Sequence, residues 1–492
     1  MAPQNSSPHE ITVDVVVLGG GPVGENVAQY AIEGTDLTAA IVEHELLGGE
    51  CSYYACMPSK ALLRPIAVAD AAANLPGLST PRIDPAELLA RRDVWVSHYD
   101  DSGQVQWAEG AGLQVVRGHG RIVGEREVRV EAADGSAGGT LIRARRAVVI
   151  ATGSTASIPG PLRELAPWTS RDATGVQDVP DELVIVGGGV VAVEAATWMA
   201  ALGAQVTMLV RGESLLSGVE PFAGEHVLEA LRARGVTVEL GTSVTSAHRE
   251  DAQKSGLGRI HGGRVTLQVE GPGGSREVSA DEVLAATGRR PALDGIGLET
   301  IGLSAEDVHA AGAPSGEETG SSLPTWLQAV GDASGEAPLT HWGKYRARVI
   351  GQAIRAGATG EALEPVPEQV PVPQVVFTDP QVTSVGLTEA QAREAGHDVV
   401  TAQVPFDGAA GSALLRDDVT GTAQLVVDRS TGMLVGATFV GPDASELIHA
   451  ATIAIVGQVP VHVLRHAVPS YPTASELWLR LLEELPVELR RG

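Results

Sequence analysis

Residues 48–60 read GGECSYYACMPSK and hold both cysteines of the 492-residue chain, Cys51 and Cys56, together with Lys60, one of only three lysines. Two cysteines cannot build a disulfide framework for a chain of this length, so the pair is read as chemical rather than structural. Zinc would need two further ligands at metal spacing, and these are absent, so no metal site is expected. The plain alternative is a pair of inert buried thiols. The other lysines are Lys254 and Lys344, against 35 basic residues in all. A chain that writes Arg almost everywhere keeps Lys where a compact ammonium matters, unless the bias is compositional drift.

Elements able to position such a site flank it in sequence. The apolar, β-branched run ITVDVVVL at 11–18 suits a buried parallel strand, and GGGPVG with a helical pattern follows at once. Gly19, Gly21 and Gly24 match G-x-G-x-x-G, in which glycine permits a tight turn, close approach to a pyrophosphate and close helix packing. The helix N-terminus offers free N–H groups to phosphate. Glu43 ends the next strand, TAAIVE, where a carboxylate can bind ribose hydroxyls.

The layout recurs at LVIV (183–186) with Gly187, Gly189 and Ala192, a helix, and the strand QVTMLV. Two βαβ units imply two nucleotide sites. The second strand end reads Val210, Arg211 where an acid would favour NAD, and an arginine there can receive the 2′-phosphate of NADP. A solvated surface arginine is the alternative reading, and position 217 nearby is a serine.

At 492 residues several domains are expected. The boundaries are read as 1–155, 156–284, 285–355 and 356–492, the last opening with a Pro-rich linker. Loops are expected near 133, over 250–264 and near 311, as tolerant insertions. The formal net charge of −26 argues against nucleic acid or an anionic membrane as partner. The opening MAPQNSSPHE lacks the basic and apolar regions of a signal peptide, and no run approaches a membrane span, so a cytoplasmic protein with a small-molecule substrate is expected.

These units, together with ATGS at 151, ATGRRP at 286, AVGDASG at 329, LTH at 339 and FTDPQVTSVGLTEAQA at 377, resemble the class I pyridine nucleotide-disulfide oxidoreductases, the family of lipoamide dehydrogenase, glutathione reductase and mercuric reductase. The resemblance covers almost the whole chain. It implies an α/β fold of two Rossmann-like domains plus a C-terminal α+β dimerisation domain, with FAD, NADPH or NADH, and a homodimer that completes each active site. It further implies that Gly153 and Asp332 bind the flavin cofactor, that Cys51 is the outer thiol and Cys56 the inner thiol of a redox-active disulfide, and that Lys60 pairs near the flavin with Glu194.

An ideal helix would set Cys51 and Cys56 roughly 8.6 Å apart at Cα, beyond the limit of about 7 Å for a disulfide. The backbone between them must therefore leave the helix. Gly48 and Gly49 give room for a bend, and Pro58 suits the opening turn of the helix that follows.

The C-terminal segment departs from the family. VPSYPTASELW retains Pro472, Thr473, Ser475 and Glu476, but Tyr471 stands where the family carries the histidine base that serves the outer thiol from the partner subunit. A phenol of pKa about 10 is a poor base near neutrality. His466 is an alternative base. Tyr53, Tyr54 and Tyr471 either line the site for a flat acceptor or only pack. The sequence therefore points to an FAD enzyme passing electrons from NAD(P)H through Cys51 and Cys56 to a disulfide, with direct reduction of quinones or metal ions as the alternative and a catalytically silent flavoprotein scaffold as a third.

Overall fold

The structure, a computed structural model, describes residues 9–131, 139–312, 323–367 and 370–491. The loops expected near 133 and 311, the first eight residues and part of the Pro-rich linker lie outside these. The chain forms two compact units: Met1–Pro58 with Asp93–Thr155 and Arg289–Val366, and Ser59–Arg92 with Ala156–Gly288 and Pro367–Gly492.

In the first unit, β1 (His9–Leu18), α1 (Pro22–Ile32) and β2 (Ala39–Glu43) form the first βαβ unit. β1 is the centre of a seven-stranded sheet, parallel to β2 on one side and to Thr140–Ile150 on the other. Apolar side chains on both faces explain the largely hydrophobic run, since a parallel sheet is covered twice. Asp14 interrupts that run at a register shift, and its carboxylate accepts from the Thr38 amide and hydroxyl and from Arg145. α1 packs along the helix Thr340–Thr359. The crossing is tight: a Cβ on Gly343 would lie 2.5 Å from Val23 Cγ2, and one on Gly351 2.7 Å from Tyr30 Cβ. This helix runs on to Thr359, so a domain start at 356 falls within its last turn.

In the second unit, Glu182–Val186, Val190–Leu202 and Gln205–Leu209 repeat the βαβ plan in a four-stranded parallel sheet. A five-stranded antiparallel sheet with helices follows from Gln374 onward, the α+β part of the fold. Residues 59–92 join this unit rather than the first. Leu62, Leu63, Ile66 and Leu88 share a core with Trp168 and Trp198, and buried Arg92 donates to the carbonyls of Thr174 and Val176.

The 250–264 segment is irregular, as expected, but it is not a tolerant insertion. The His261 amide donates to Glu282 Oε2 at 2.8 Å, and Glu282 takes a bidentate pair of 2.8 Å bonds from Arg249, both side chains being fully buried. Arg249 also donates to the carbonyls of Leu165, Gly263 and Asp281. A buried ion pair is tolerated only when its remaining hydrogen-bonding capacity is filled, and this segment supplies part of that filling.

Candidate active site

The cysteines sit where one helix stops and the next begins. α2 (Gly49–Tyr53) ends at Tyr54, whose φ/ψ of −128°/−7° leave the helix, and α3 (Cys56–Ala73) starts at Cys56 with Pro58 in its first turn. Gly48 and Gly49 enter α2 with φ of 103° and 57°. Gly49 has a second reason to lack a side chain, since a Cβ there would lie 2.6 Å from Gly21 Cα. The cysteine segment is thereby held directly against the turn between β1 and α1.

The thiols of Cys51 and Cys56 are hydrogen-bonded to each other and not joined covalently. Cys56 Sγ lies 3.5 Å from the hydroxyl of Thr340, the first residue of its helix, and is itself the first residue of α3. An anion at this sulfur faces the positive ends of two helices, the setting that favours a thiolate. The bond to Cys56 and then burial push the Cys51 thiol up, while Thr340 and the Lys344 ammonium pull it down.

Around α2 the tyrosines divide. Tyr53 is buried, its phenol pushed up to about 12 by burial and by Asp101, Glu25 and Asp100, so it stays neutral. Tyr54 stacks on Tyr99, with centroids 5.6 Å apart. Ser97, His98 and Tyr99 have φ of 49°, 52° and 61°, three successive left-handed non-glycine residues costing roughly 1–2 kcal/mol each. That turn places Tyr99 against the redox segment. Neither it nor the stack was legible in the sequence.

The first nucleotide cradle is built for close backbone approach. Gly19 has φ 102°, and a Cβ there would lie 2.3 Å from the Ala151 carbonyl oxygen; one on Gly24 would lie 2.0 Å from the Gly19 oxygen. Gly21 caps α1 with no side-chain hydrogen bond, leaving the helix N–H groups to a phosphate. Buried Glu43 accepts from the amides of Gly20 and Glu45 at 2.7 Å each, which fixes its carboxylate at the strand end. Near Gly153, Ser154 Oγ donates to Asp332 at 2.5 Å and accepts from Arg289 Nε at 2.8 Å, and Arg289 also reaches Glu50 at 3.3 Å. Glycine is required by the protein at Gly19 and Gly24. At Gly153 no protein atom would meet a Cβ within 4 Å, so that residue fits a cradle for a ligand such as a dinucleotide.

The second cradle repeats this. Gly187 has φ 134° and its Cβ would lie 2.2 Å from the Ala286 oxygen; Ala192 is buried; Gly189 faces open space. Val210 is buried, whereas Arg211 is exposed and has no ion-pair partner among the described residues, and Ser217 is exposed. In the same unit Lys60 Nζ lies 2.7 and 3.0 Å from the two carboxylate oxygens of buried Glu194 and 4.7 Å from the Phe377 ring centroid. Glu194 also accepts from the Phe377 amide at 2.9 Å.

At the C-terminal end Tyr471 and His466 are exposed. Glu476 is buried with Oε2 lacking any hydrogen-bond partner. Among the described residues no cluster of three or more metal-ligating side chains occurs, and no helix is long and apolar enough to cross a membrane. Sequence reasoning counted Lys344 without giving it a role and passed over Glu25 and Thr340. The rarity of lysine that marked Lys60 marks Lys344 equally.

Residues 13–357 match the family described as pyridine nucleotide-disulphide oxidoreductase, and residues 372–481 match its dimerisation domain. A dihydrolipoyl dehydrogenase of Haloferax volcanii is 33% identical over 477 residues, covering 96% of this chain and 95% of that protein. A mercuric reductase of Staphylococcus aureus is 30% identical over 472 residues, covering 94% and 80%. Among solved structures, LpdA from Mycobacterium tuberculosis has TM-score 0.78 at 24% identity, covering 96% of this chain and 99% of that one. The HOCl-induced flavoprotein disulfide reductase RclA from Escherichia coli has TM-score 0.77 at 23%, covering 96% and 100%. The chain belongs to the pyridine nucleotide-disulphide oxidoreductases, flavin-dependent enzymes that use FAD and NAD(P)H.

Proposed function

We propose that the protein is a homodimeric, cytoplasmic reductase that takes hydride from NADPH, and less efficiently from NADH, and delivers the electrons through Cys51 and Cys56 to a small disulfide substrate. The observation that carries this reading is the hydrogen-bonded pair of thiols at the α2–α3 break, with Cys56 against Thr340. FAD, when bound, would supply the two-electron relay between the nicotinamide carrier and the cysteine disulfide. Gly19, Gly21, Gly24, Glu43, Gly153 and Asp332 would hold it; Gly187, Gly189, Ala192 and Arg211 would hold the nicotinamide carrier.

In the proposed cycle the Cys51 thiolate attacks one sulfur of the substrate disulfide, forming a mixed disulfide and expelling one thiolate. Cys56 then attacks the Cys51 sulfur, re-forming the intramolecular bond and releasing the second thiol. Lys60, fixed by Glu194, supplies the cation that offsets negative charge growing at the flavin and the inner sulfur. Tyr471 and Glu476 would enter from the partner subunit. An exposed Tyr471 suits that role.

A screen of NADPH and NADH oxidation with lipoamide, glutathione-type disulfides and quinones tests the acceptor. Two-electron reduction should produce a long-wavelength charge-transfer band, absent in Cys56→Ser and retained in Cys51→Ser. The Tyr54–Tyr99 stack favours, as second reading, a flat quinone reduced without the thiols. Turnover of a quinone with no band in any redox state and no effect of either cysteine variant would decide for it.

A further inference from the structure

Glu50 stands immediately before Cys51, in the first turn of α2. A helix of five residues is too short to hold itself, so its place is set by what it touches. On the main-chain side the Gly48 amide donates to the Gly20 carbonyl at 2.7 Å, and Gly49 packs on Gly21. On the side-chain side Glu50 Oε1 accepts from a terminal nitrogen of Arg289 at 3.3 Å. The two side chains are 26% and 24% exposed, which sets the pair apart from the solvated surface kind that contributes little.

Arg289 reaches further. Its Nε donates to Ser154 Oγ at 2.8 Å, and a terminal nitrogen donates to the Ser154 carbonyl at 2.7 Å. The serine hydroxyl has one hydrogen, and that goes to Asp332 Oδ2 at 2.5 Å. A chain of hydrogen bonds therefore runs from the residue beside Cys51 through Arg289 and Ser154 to the aspartate that would hold the flavin. The planar guanidinium serves acceptors in two directions at once, whereas an ammonium on a flexible stem would not hold them in one geometry. Cys56 is held by other means, at the head of α3 with its sulfur 3.5 Å from the Thr340 hydroxyl. The two sulfurs thus have separate supports, on either side of the break at Tyr54.

We propose that Glu50 and Arg289 are positioning residues for the outer cysteine: the guanidinium is a strut between Asp332 and the first turn of α2 that keeps Cys51 within bonding reach of Cys56. This rests on the reading that the two cysteines form the redox-active disulfide. When they exchange with oxidised glutathione, Cys51 forms the mixed disulfide and one glutathione thiol leaves. Cys56 then attacks the Cys51 sulfur and expels the second, so two thiols are oxidised, one disulfide is reduced, and the two protons leave with the glutathione. The equilibrium constant for this closure depends on how nearly the reduced pair already holds the bonded geometry. Confining α2 raises it, because less freedom is lost when the bond forms. The strut acts on the Cys51 side and leaves the Cys56 sulfur where α3 and Thr340 hold it.

The test is the equilibrium of the cysteine pair in the FAD-loaded enzyme against buffers of reduced and oxidised glutathione, quenched by alkylation and read by mass spectrometry. Glu50→Gln keeps the shape and removes the charge; Arg289→Lys keeps every charge and removes the fork. Each should lower the closure constant about tenfold. The same fall in Arg289→Lys cannot come from an altered charge beside Cys51. The double variant should match the lower single variant within about twofold, because both changes cut one link. The long-wavelength charge-transfer band of the two-electron-reduced enzyme should keep its position throughout, since Cys56 does not move. A band displaced in step with the constant would mean a general loosening and overturn the proposal. Constants of both single variants within about twofold of the parent overturn it as well, and so do effects that multiply in the double variant. Should Arg289→Lys not retain FAD, Glu50→Gln decides alone, an unshifted constant rejecting the strut and a tenfold fall with the band in place upholding it. A parent that closes no Cys51–Cys56 disulfide in any buffer rejects the redox reading and the strut with it, an outcome distinct from a parent and variants that close it equally well.

Discussion

Lys60 Nζ stands 2.7 Å from Glu194 Oε2, with the Phe377 ring centroid 4.7 Å away and the Phe377 amide donating to the other carboxylate oxygen. The cation is therefore held by a carboxylate and a ring face, although Lys60 and Glu194 are 134 residues apart in sequence. Lys60→Met should slow flavin reduction by NADPH about 10²-fold, and Glu194→Gln less, read by stopped-flow absorbance. Glu194→Ala leaves the ammonium and the Phe377 N–H without their acceptor and should cost about 1–3 kcal/mol in urea unfolding. Reduction of the Lys60→Met enzyme at the parent rate would remove the lysine from the chemistry.

Arg211 is exposed, free of ion pairs among the described residues, and next to buried Val210. An arginine available to a 2′-phosphate should be worth about tenfold in kcat/KM for NADPH, a single charge-assisted bond being about 1.5 kcal/mol or more. Arg211→Ala should lower the NADPH value by that factor and leave NADH unchanged. An unaltered NADPH:NADH ratio would make it an ordinary surface residue.

With an exposed phenol at 471, Tyr471→Phe should leave disulfide turnover within about threefold, since a phenol contributes little as a base near neutrality. Tyr471→His introduces a group of pKa about 6.5 at this exposed position. This histidine should raise disulfide turnover at least about tenfold. Steady-state assays with a small disulfide read both. No gain in Tyr471→His would show that position 471 does not reach the outer thiol.

Glu25 gives stability a pH dependence. Its folded-state value, about 7, lies above the ordinary 4.5, so its neutral form is favoured in the fold. The contribution is complete below about 4.5 and is lost as pH rises through 7. Relative to Glu25→Gln, the parent should therefore lose up to about 3 kcal/mol over this window, at 1.36 kcal/mol per unit. Urea midpoints between pH 5 and 8 check the sign: a Gln variant that gains no relative stability with rising pH would mean that the acid is solvated.

Local chemistry was enough for much of this protein. The glycines of both nucleotide turns were legible because φ of 102° at Gly19 and 134° at Gly187, with carbonyls 2.3 and 2.2 Å from a would-be Cβ, admit no other residue. The break between Cys51 and Cys56 was legible because helix rise and sulfur reach are incompatible over five residues. Burial on both faces likewise dictates the apolar run over residues 15–18 of β1.

What stayed hidden depends on residues distant in sequence. Residues 59–92 join the second unit because Leu62, Leu63 and Leu88 meet Trp168 and Trp198, partners no periodicity can name. The 250–264 segment looked dispensable because Gly and charge mark loops, yet buried Glu282 requires the His261 amide. Glu25 and Lys344 are 319 positions apart in the sequence and carry no motif. Only the packing of α1 along the Thr340–Thr359 helix brings that acid within electrostatic reach of that cation, because electrostatic coupling depends on separation in space and not along the chain.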